Sequence, residues 1–276
     1  MSYANNNIYY KNKGGNRGIG LAIVKALLES DGGPYHIYMG SRDLKRGEEI
    51  AAKLPTHHGN TVSAVQLDIT SSPSVASAVA AVEAGSGRLD ILVNNAGVNL
   101  DNMSDQCEKM RAIYEINVIG PSRLTDAFRA LLVAKPPQET TDSQASGAKA
   151  KTSGGGKKIQ KRIVNVTSEL GSVSSRWDPS FISYGQLNTA YRCSKAALGM
   201  LTACHAHEFK DFGVKVSAFD PGWAATECGG LDPAALLKMG AVDPRVSGLA
   251  CRDVIEGKRD HEGDVILRIH GDTVPW

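Results

Sequence analysis

Short apolar runs separated by helix-length amphipathic stretches recur along almost the whole chain, and this alternation restricts what it can fold into. The runs Ile8–Lys11, His36–Met39, Val62–Leu67, Ile91–Val93, Ile163–Val166, Val214–Ala218 and Val265–Leu267 read as strands. Between them Ile19–Glu29, Leu44–Leu54, Pro73–Glu83, Cys107–Tyr114, Val118–Val133 and Ala190–Phe212 read as helices. A strand covered on both faces shows a continuous apolar run, and parallel neighbours need a crossover helix between them. The pattern therefore predicts an α/β fold: a doubly wound, seven-stranded parallel sheet with helices on both faces and right-handed connections.

The 276 residues, 42% of them hydrophobic, suffice for one such domain spanning 1–276. Lys135–Lys161 interrupts the pattern with two prolines, a triple glycine and almost no large apolar side chains. Such a segment cannot bury enough surface to offset its ordering entropy and is expected to be a disordered insertion between a helix and the fifth strand.

A net charge of +2 gives no footprint for nucleic acid or an acidic membrane surface. Five cysteines, Cys107, Cys193, Cys204, Cys228 and Cys251, include no Cys-x-x-Cys pair, so no metal site is expected. Unpaired thiols, with no secretory leader or long apolar run in the sequence, lead to the expectation of a cytoplasmic protein.

The turn Lys13-Gly14-Gly15-Asn16-Arg17-Gly18-Ile19-Gly20 lies between the first strand and the first helix. Glycines there admit a pyrophosphate close to the backbone N–H groups, and the helix N-terminus faces it with partial positive charge, the arrangement of a Rossmann-type dinucleotide site. The second strand runs into Ser41-Arg42-Asp43, where a site for NAD usually carries an acid. Arg42 is placed to pair with a 2′-phosphate, and Arg17 to reach the same group, which favours NADP(H). The alternative is that Ser41 or Asp43 caps the next helix while Arg42 is solvated.

Tyr191 and Lys195 stand one turn apart on one face of the long helix beginning at Ala190. A phenol, with an unperturbed pKa of about 10, is a poor proton donor at neutral pH. An ammonium one turn away favours the phenolate and lowers that pKa.

These features together resemble the short-chain dehydrogenase/reductase family. Gly14-x-x-x-Gly18-Ile19-Gly20 is similar to its cofactor turn, Asn94-Asn95-Ala96-Gly97 to its motif after the fourth strand, and Asp220-Pro221-Gly222 with Thr226 to its Pro-Gly turn beside the nicotinamide. The resemblance implies a catalytic set of Ser168, Tyr191, Lys195 and Asn117, with Thr167 competing with Ser168. Asn117 would kink its helix and hold a water that passes protons to Lys195. It further implies cofactor contacts from Gly14, Asn16, Arg17, Gly18, Ile19, Gly20, Arg42, Asp68, Ile69, Asn95, Ala96, Gly97, Tyr191, Lys195, Pro221, Gly222 and Thr226. One departure is that Asn12 and Lys13 stand where the family has an apolar strand end and a threonine. Two polar residues there would disturb the first strand.

Within the family, Tyr191–Thr202, Pro221–Gly230 and Pro275-Trp276 resemble the C-factor/sniffer branch near the carbonyl reductases. The long stretch between Ser168 and Tyr191 fits too; its part Ser172–Asn188, with Trp177, Phe181 and Tyr184, is expected to lie over the active site. The implied activity is NADPH-dependent reduction of a small-molecule carbonyl or imine, with a homo-oligomer, dimer or tetramer, as its form. Two alternatives stand beside it: a reductase coupled to cyclisation in secondary metabolism, and a nucleotide-binding regulatory protein without turnover.

Overall fold

The structure, a computed structural model, describes residues 6–11, 16–100, 103–134, 160–181, 183–226, 232–263 and 265–276, the first of these by backbone only. Strands β1 (Asn6–Lys11), β2 (Tyr35–Ser41), β3 (Thr61–Gln66), β4 (Ile91–Asn94), β5 (Arg162–Val166), β6 (Lys215–Asp220) and β7 (Ile266–Arg268) pair in parallel. An eighth strand, β8 (Thr273–Val274), pairs antiparallel with β7 and completes the order β3-β2-β1-β4-β5-β6-β7-β8. The seven expected strands are all present, and the count is corrected by this one. Two residues carry no periodicity, and β8 forms because the chain turns back at Gly271 (φ +83°).

β1 pairs along its full length with β2, from Asn6 opposite Tyr35 to Lys11 opposite Gly40, and with β4 up to Asn94. Asn12, Lys13 and Gly14 lie outside the described residues, as do 135–159 of the expected insertion. Lys161, assigned to that insertion, is instead fastened: its ammonium donates to the carbonyls of Leu132, at 2.8 Å, and Ala134 at the end of a helix.

Helices α1 (Gly18–Leu28), α2 (Leu44–Ala51), α3 (Ser72–Ser86), α4 (Gln106–Tyr114), α5 (Gly120–Val133), α6 (Val173–Trp177), α7 (Thr189–Phe209), α8 (Pro233–Lys238) and α9 (Pro244–Ile255) fill the connections. Most begin at a side-chain cap: Asp43, Ser71 and Asp105 accept backbone N–H groups at the starts of α2, α3 and α4. Neither α8 nor α9 stood out by periodicity, but each opens with an Asp cap followed by proline, Asp232-Pro233 and Asp243-Pro244.

Successive strand residues face opposite sides of the sheet, so two apolar layers form. Ile91, Val93, Val164, Val166 and Phe219 pack with Ile23, Leu27, Val254 and Ile255 of α1 and α9. Leu92 and Ile163 pack with Val75, Val82, Leu124, Phe128 and Phe209 of α3, α5 and α7 on the other side. The first pair of helices touches closely: a Cβ on Gly248 would lie 2.5 Å from the Ala22 carbonyl oxygen. Among the described residues no helix is long and apolar enough to cross a membrane.

Candidate active site

The strand order reverses direction between β1 and β4, and in an open parallel sheet ligands bind at the carboxyl ends beside such a switch point. Every candidate residue within the described part leaves the sheet at that edge or faces it from a helix. Asn94 ends β4 and Asn95–Gly97 follow it, Ser168 follows β5, Asp220 ends β6 with Pro221–Thr226 after it, and Asn16 and Arg17 lead into α1.

Tyr191 and Lys195 lie in the first turns of α7. The Lys195 side chain is buried, donates from Nζ to the Val166 carbonyl at 2.9 Å, and sits 5.6 Å from the Tyr191 ring centre. Ser168 begins the 3₁₀ turn Glu169–Gly171, and its Oγ accepts from Leu170 N at 3.3 Å. It caps this turn while staying half-buried. Thr167, the competing residue, is buried and donates to the Lys195 carbonyl at 3.4 Å, which points it into the fold and not toward a ligand. The serine turn presses on α7 so closely that a Cβ on Gly171 would stand 2.6 Å from the Lys195 carbonyl carbon.

Asn117 lies in a π-helical turn, Glu115–Ile119, between α4 and α5, the widened turn that the expected kink produces. Its fully buried amide donates to the Val98 carbonyl at 3.1 Å and to Ser194 Oγ at 2.9 Å, and accepts from Val98 N at 2.8 Å. Gly97 marks the point of convergence: a Cβ there would lie 3.4 Å from Lys195 Nζ and 3.5 Å from Asn117 Oδ1. Elements from four parts of the chain thus meet around Tyr191, Lys195, Asn117 and Ser168.

On the other side of the crevice, α1 starts at Gly18 (φ +58°), and its N-cap residue Arg17 makes no side-chain cap bond. The leading N–H groups of that helix face the crevice with Ile19 and Gly20 in its first turn. Thr226, far along the chain, stands against it, with Cγ2 3.5 Å from where a Gly18 Cβ would be. Asn16 is buried and donates to Ser41 Oγ at 3.3 Å, and Ser41 in turn donates to the Asp43 carbonyl at 2.6 Å. The side chain of Asp43 caps α2 through Arg46 N at 3.1 Å while Arg42 is exposed, the arrangement set out as the alternative to a 2′-phosphate contact. Asp68 closes a turn by accepting from Thr70 N at 2.9 Å, leaving the cap of α3 to Ser71. Ile69, Asn95 and Ala96 are buried around the same crevice.

Asn94 braces the sheet through partners that lie far from it in sequence. Its Nδ2 donates to Asn165 Oδ1 at 2.8 Å and to Thr125 Oγ1 at 3.2 Å, and Asn165 Nδ2 donates to Thr202 Oγ1 at 2.9 Å. This buried chain joins β4, α5, β5 and α7 beneath the crevice. Glu169 and Arg268 escaped the sequence reading, and Asp220 entered it only as the first residue of the Pro-Gly turn. Asp220 is buried at the end of β6, accepts from Gly222 N at 3.1 Å, and is pushed up to about 6 by burial first and by the negative charge of Glu169 second. Gly222 itself requires its left-handed backbone (φ +67°), and a Cβ there would collide with Ile269 at 2.6 Å.

The stretch Ser172–Asn188 departs from expectation. Phe181 turns into the sheet edge and packs on Ala218, Ile266 and Val274, Trp177 is 81% exposed, and Tyr184 lies under the Arg176 guanidinium at 5.4 Å. The aromatics therefore form no common cover. A buried arginine beside Tyr191 restrains the stretch: Arg192 donates to the carbonyls of Gln186 at 3.0 Å, Leu170 at 3.4 Å and Ser183.

Comparison with known proteins gives a consistent result. The family profile described as short chain dehydrogenase matches residues 13–139 and 151–233. A short-chain dehydrogenase/reductase of Phoma sp., eupG, is 32% identical over 287 aligned positions, covering 95% of each chain. An NADPH-bound carbonyl reductase from chicken fatty liver is 27% identical, with a TM-score of 0.73 and 99% of both chains covered. The carbonyl reductase Sniffer of D. melanogaster, 22% identical with a TM-score of 0.72 over 99% of both chains, shares the fold.

Proposed function

Because this chain belongs to the short-chain dehydrogenase family and resembles its carbonyl reductases, we propose that it is an NADPH-dependent reductase of a small-molecule carbonyl or imine, working as a single domain. The observation that carries this reading is that Lys195 Nζ, 5.6 Å from the Tyr191 ring centre, meets Asn117 beside Gly97.

The residues present suit a dinucleotide. The α1 N-terminus, free of a side-chain cap bond from Arg17 and lined by Thr226, would hold the pyrophosphate. Asn16 is tied to Ser41, and Gly14, which lies outside the described residues, is proposed to offer its backbone N–H to the pyrophosphate. Arg42 and Arg17 would take the 2′-phosphate as charge-assisted donors. Asp68, Ile69, Asn95 and Ala96 would line the adenosine side, and Pro221 and Gly222 the nicotinamide. The bound cofactor supplies the hydride.

Tyr191 donates the proton to the substrate oxygen or nitrogen. Lys195 holds its phenol in an acidic state by the proximity of the ammonium, which Val166 fixes in place. Ser168 orients the substrate through its half-buried hydroxyl, and the widened turn at Asn117 is where a water would resupply Lys195. The unpaired thiols Cys107, Cys193, Cys204 and Cys251 suit a reducing cytoplasm.

The experiment is NADPH oxidation against a panel of ketones, aldehydes and imines, with any nucleotide carried through purification identified. Turnover of one class with NADPH preferred over NADH supports the reading. Bound nucleotide with no turnover across the panel contradicts it.

A further inference from the structure

The β5–β6 ladder ends where Thr167 N donates to the Phe219 carbonyl at 2.8 Å, and one residue further on each strand stand Ser168 and Asp220. Asp220 is buried between the two loops that leave there. Its Oδ1 accepts from Gly222 N, inside the Pro221-Gly222 turn, and the N–H of Glu169, next to Ser168, favours its charged form. Its Oδ2 is buried without a hydrogen-bond partner among the described residues and lies 3.7 Å from Arg268 Nε, itself buried and unpartnered. Arg268 also holds Glu169 at 2.7 Å and Asp272 at 2.5 Å. The charged groups facing Asp220 are thus Glu169 after β5, Arg268 on β7 and, through Arg268, Asp272 before β8. Three carboxylates surround one guanidinium, a cluster with surplus negative charge where an amide or apolar side chain would fold more easily.

We propose that Asp220 is a positioning residue: its carboxylate, joined by Arg268 to Glu169 of the turn that carries Ser168, holds that turn at a fixed spacing from the Pro221-Gly222 turn. The proposal rests on the reductase reading for the use made of that spacing, but the clamp itself is a property of the unliganded chain. A charged acceptor binds the Gly222 N–H more strongly than a neutral one, so the clamp loosens when Asp220 takes a proton.

Two readouts test this on wild type, Asp220→Asn and Glu169→Gln between pH 5 and 8. The first is carboxyl ¹³C NMR of aspartate-labelled, unliganded protein, with Asp220→Asn identifying the signal. The second is kcat at saturating NADPH and substrate, so that ligand protonation does not enter. In wild type the signal titrates near pH 6, and kcat falls with the same midpoint as the pH is lowered. Glu169→Gln moves both midpoints down, because it removes a charge that raises them. Asp220→Asn loses the acid limb and stays about five- to tenfold below the wild-type plateau, the difference between a charged and a neutral acceptor. An acid limb retained in Asp220→Asn, midpoints unmoved in Glu169→Gln, or a titrating signal with no response in kcat would overturn the proposal. No carbonyl turnover at any pH, with the NMR midpoint and its shift intact, removes the reductase reading and leaves the clamp.

Discussion

The Lys195 ammonium is buried 5.6 Å from the centre of the Tyr191 ring and is tied to the Val166 carbonyl at the end of β5. Helix spacing alone brings a lysine and a tyrosine four residues apart to the same face. The strand end does more: it fixes the lysine's rotamer, so the charge does not swing into solvent. The turn that Ser168 opens lies close against α7, where a Cβ on Gly171 would meet the Lys195 backbone at 2.6 Å.

Arg42 is exposed at the end of β2, with the Asp43 side chain already engaged in capping α2. Removing it should therefore disturb the fold little and the 2′-phosphate site strongly. Arg42→Ala is expected to weaken NADPH binding by roughly ten- to a hundredfold, the loss of one charge-assisted contact, and NADH binding hardly at all. Fluorescence titration with both nucleotides checks this, and parallel weakening would remove the assignment.

The Asn94–Asn165–Thr202 chain is buried, so truncating its centre leaves donors and acceptors without partners. Asn165→Ala should destabilise the protein by about 1–3 kcal/mol, read as a lower urea midpoint at unchanged slope. A midpoint equal to wild type would show that the chain contributes nothing.

Arg192 ties Leu170, Ser183 and Gln186 together through their carbonyls. With Arg192→Met, the stretch that includes Phe181, Tyr184 and Leu187 should open more often. Native-state cleavage there by chymotrypsin is expected to be about tenfold faster, a local opening easier by roughly 1.4 kcal/mol. Cleavage at the wild-type rate would mean that the stretch is held by other contacts.

Burial, and after it the negative charge of Glu169, push the Asp220 carboxyl up to about 6, above the ordinary carboxylate range. A group raised on folding contributes stability below its unfolded pKa and loses that contribution as the pH climbs through the folded value. Asp220→Asn, which carries no charge, should therefore exceed wild type in stability at pH 7.5 by about 1–3 kcal/mol, with the gain vanishing near pH 4. Thermal unfolding across that range is the check; a variant less stable than wild type at pH 7.5 would reverse the sign.

Much of the sheet was legible because parallel strands must be apolar on both faces, and the site because its residues sit at strand ends that the same runs delimit. Ser168, Asn94–Gly97 and Asp220–Thr226 were each placed in this way. What escaped had other causes. The buried stripe of α9 opens on the small residues Ser247 and Gly248 and continues only through Cys251, Val254 and Ile255, so it is short in sequence, and the close approach of Gly248 to Ala22 supplies the rest of the packing. Phe181 reads as a pocket aromatic in sequence, but the sheet edge near β8 offered it a drier place. The contacts of Asn165 with Asn94 and of Arg268 with Asp220 join distant segments, and no local spacing encodes them.

The account turns on Tyr191 as the proton donor. The direct measurement is single-turnover NADPH oxidation by Tyr191→Phe with a carbonyl that wild type reduces, alongside the NADPH dissociation constant. The account predicts binding within about twofold of wild type and turnover lower by at least a hundredfold, the contribution of a positioned general acid. Turnover equal to wild type by a variant that still binds NADPH would contradict it.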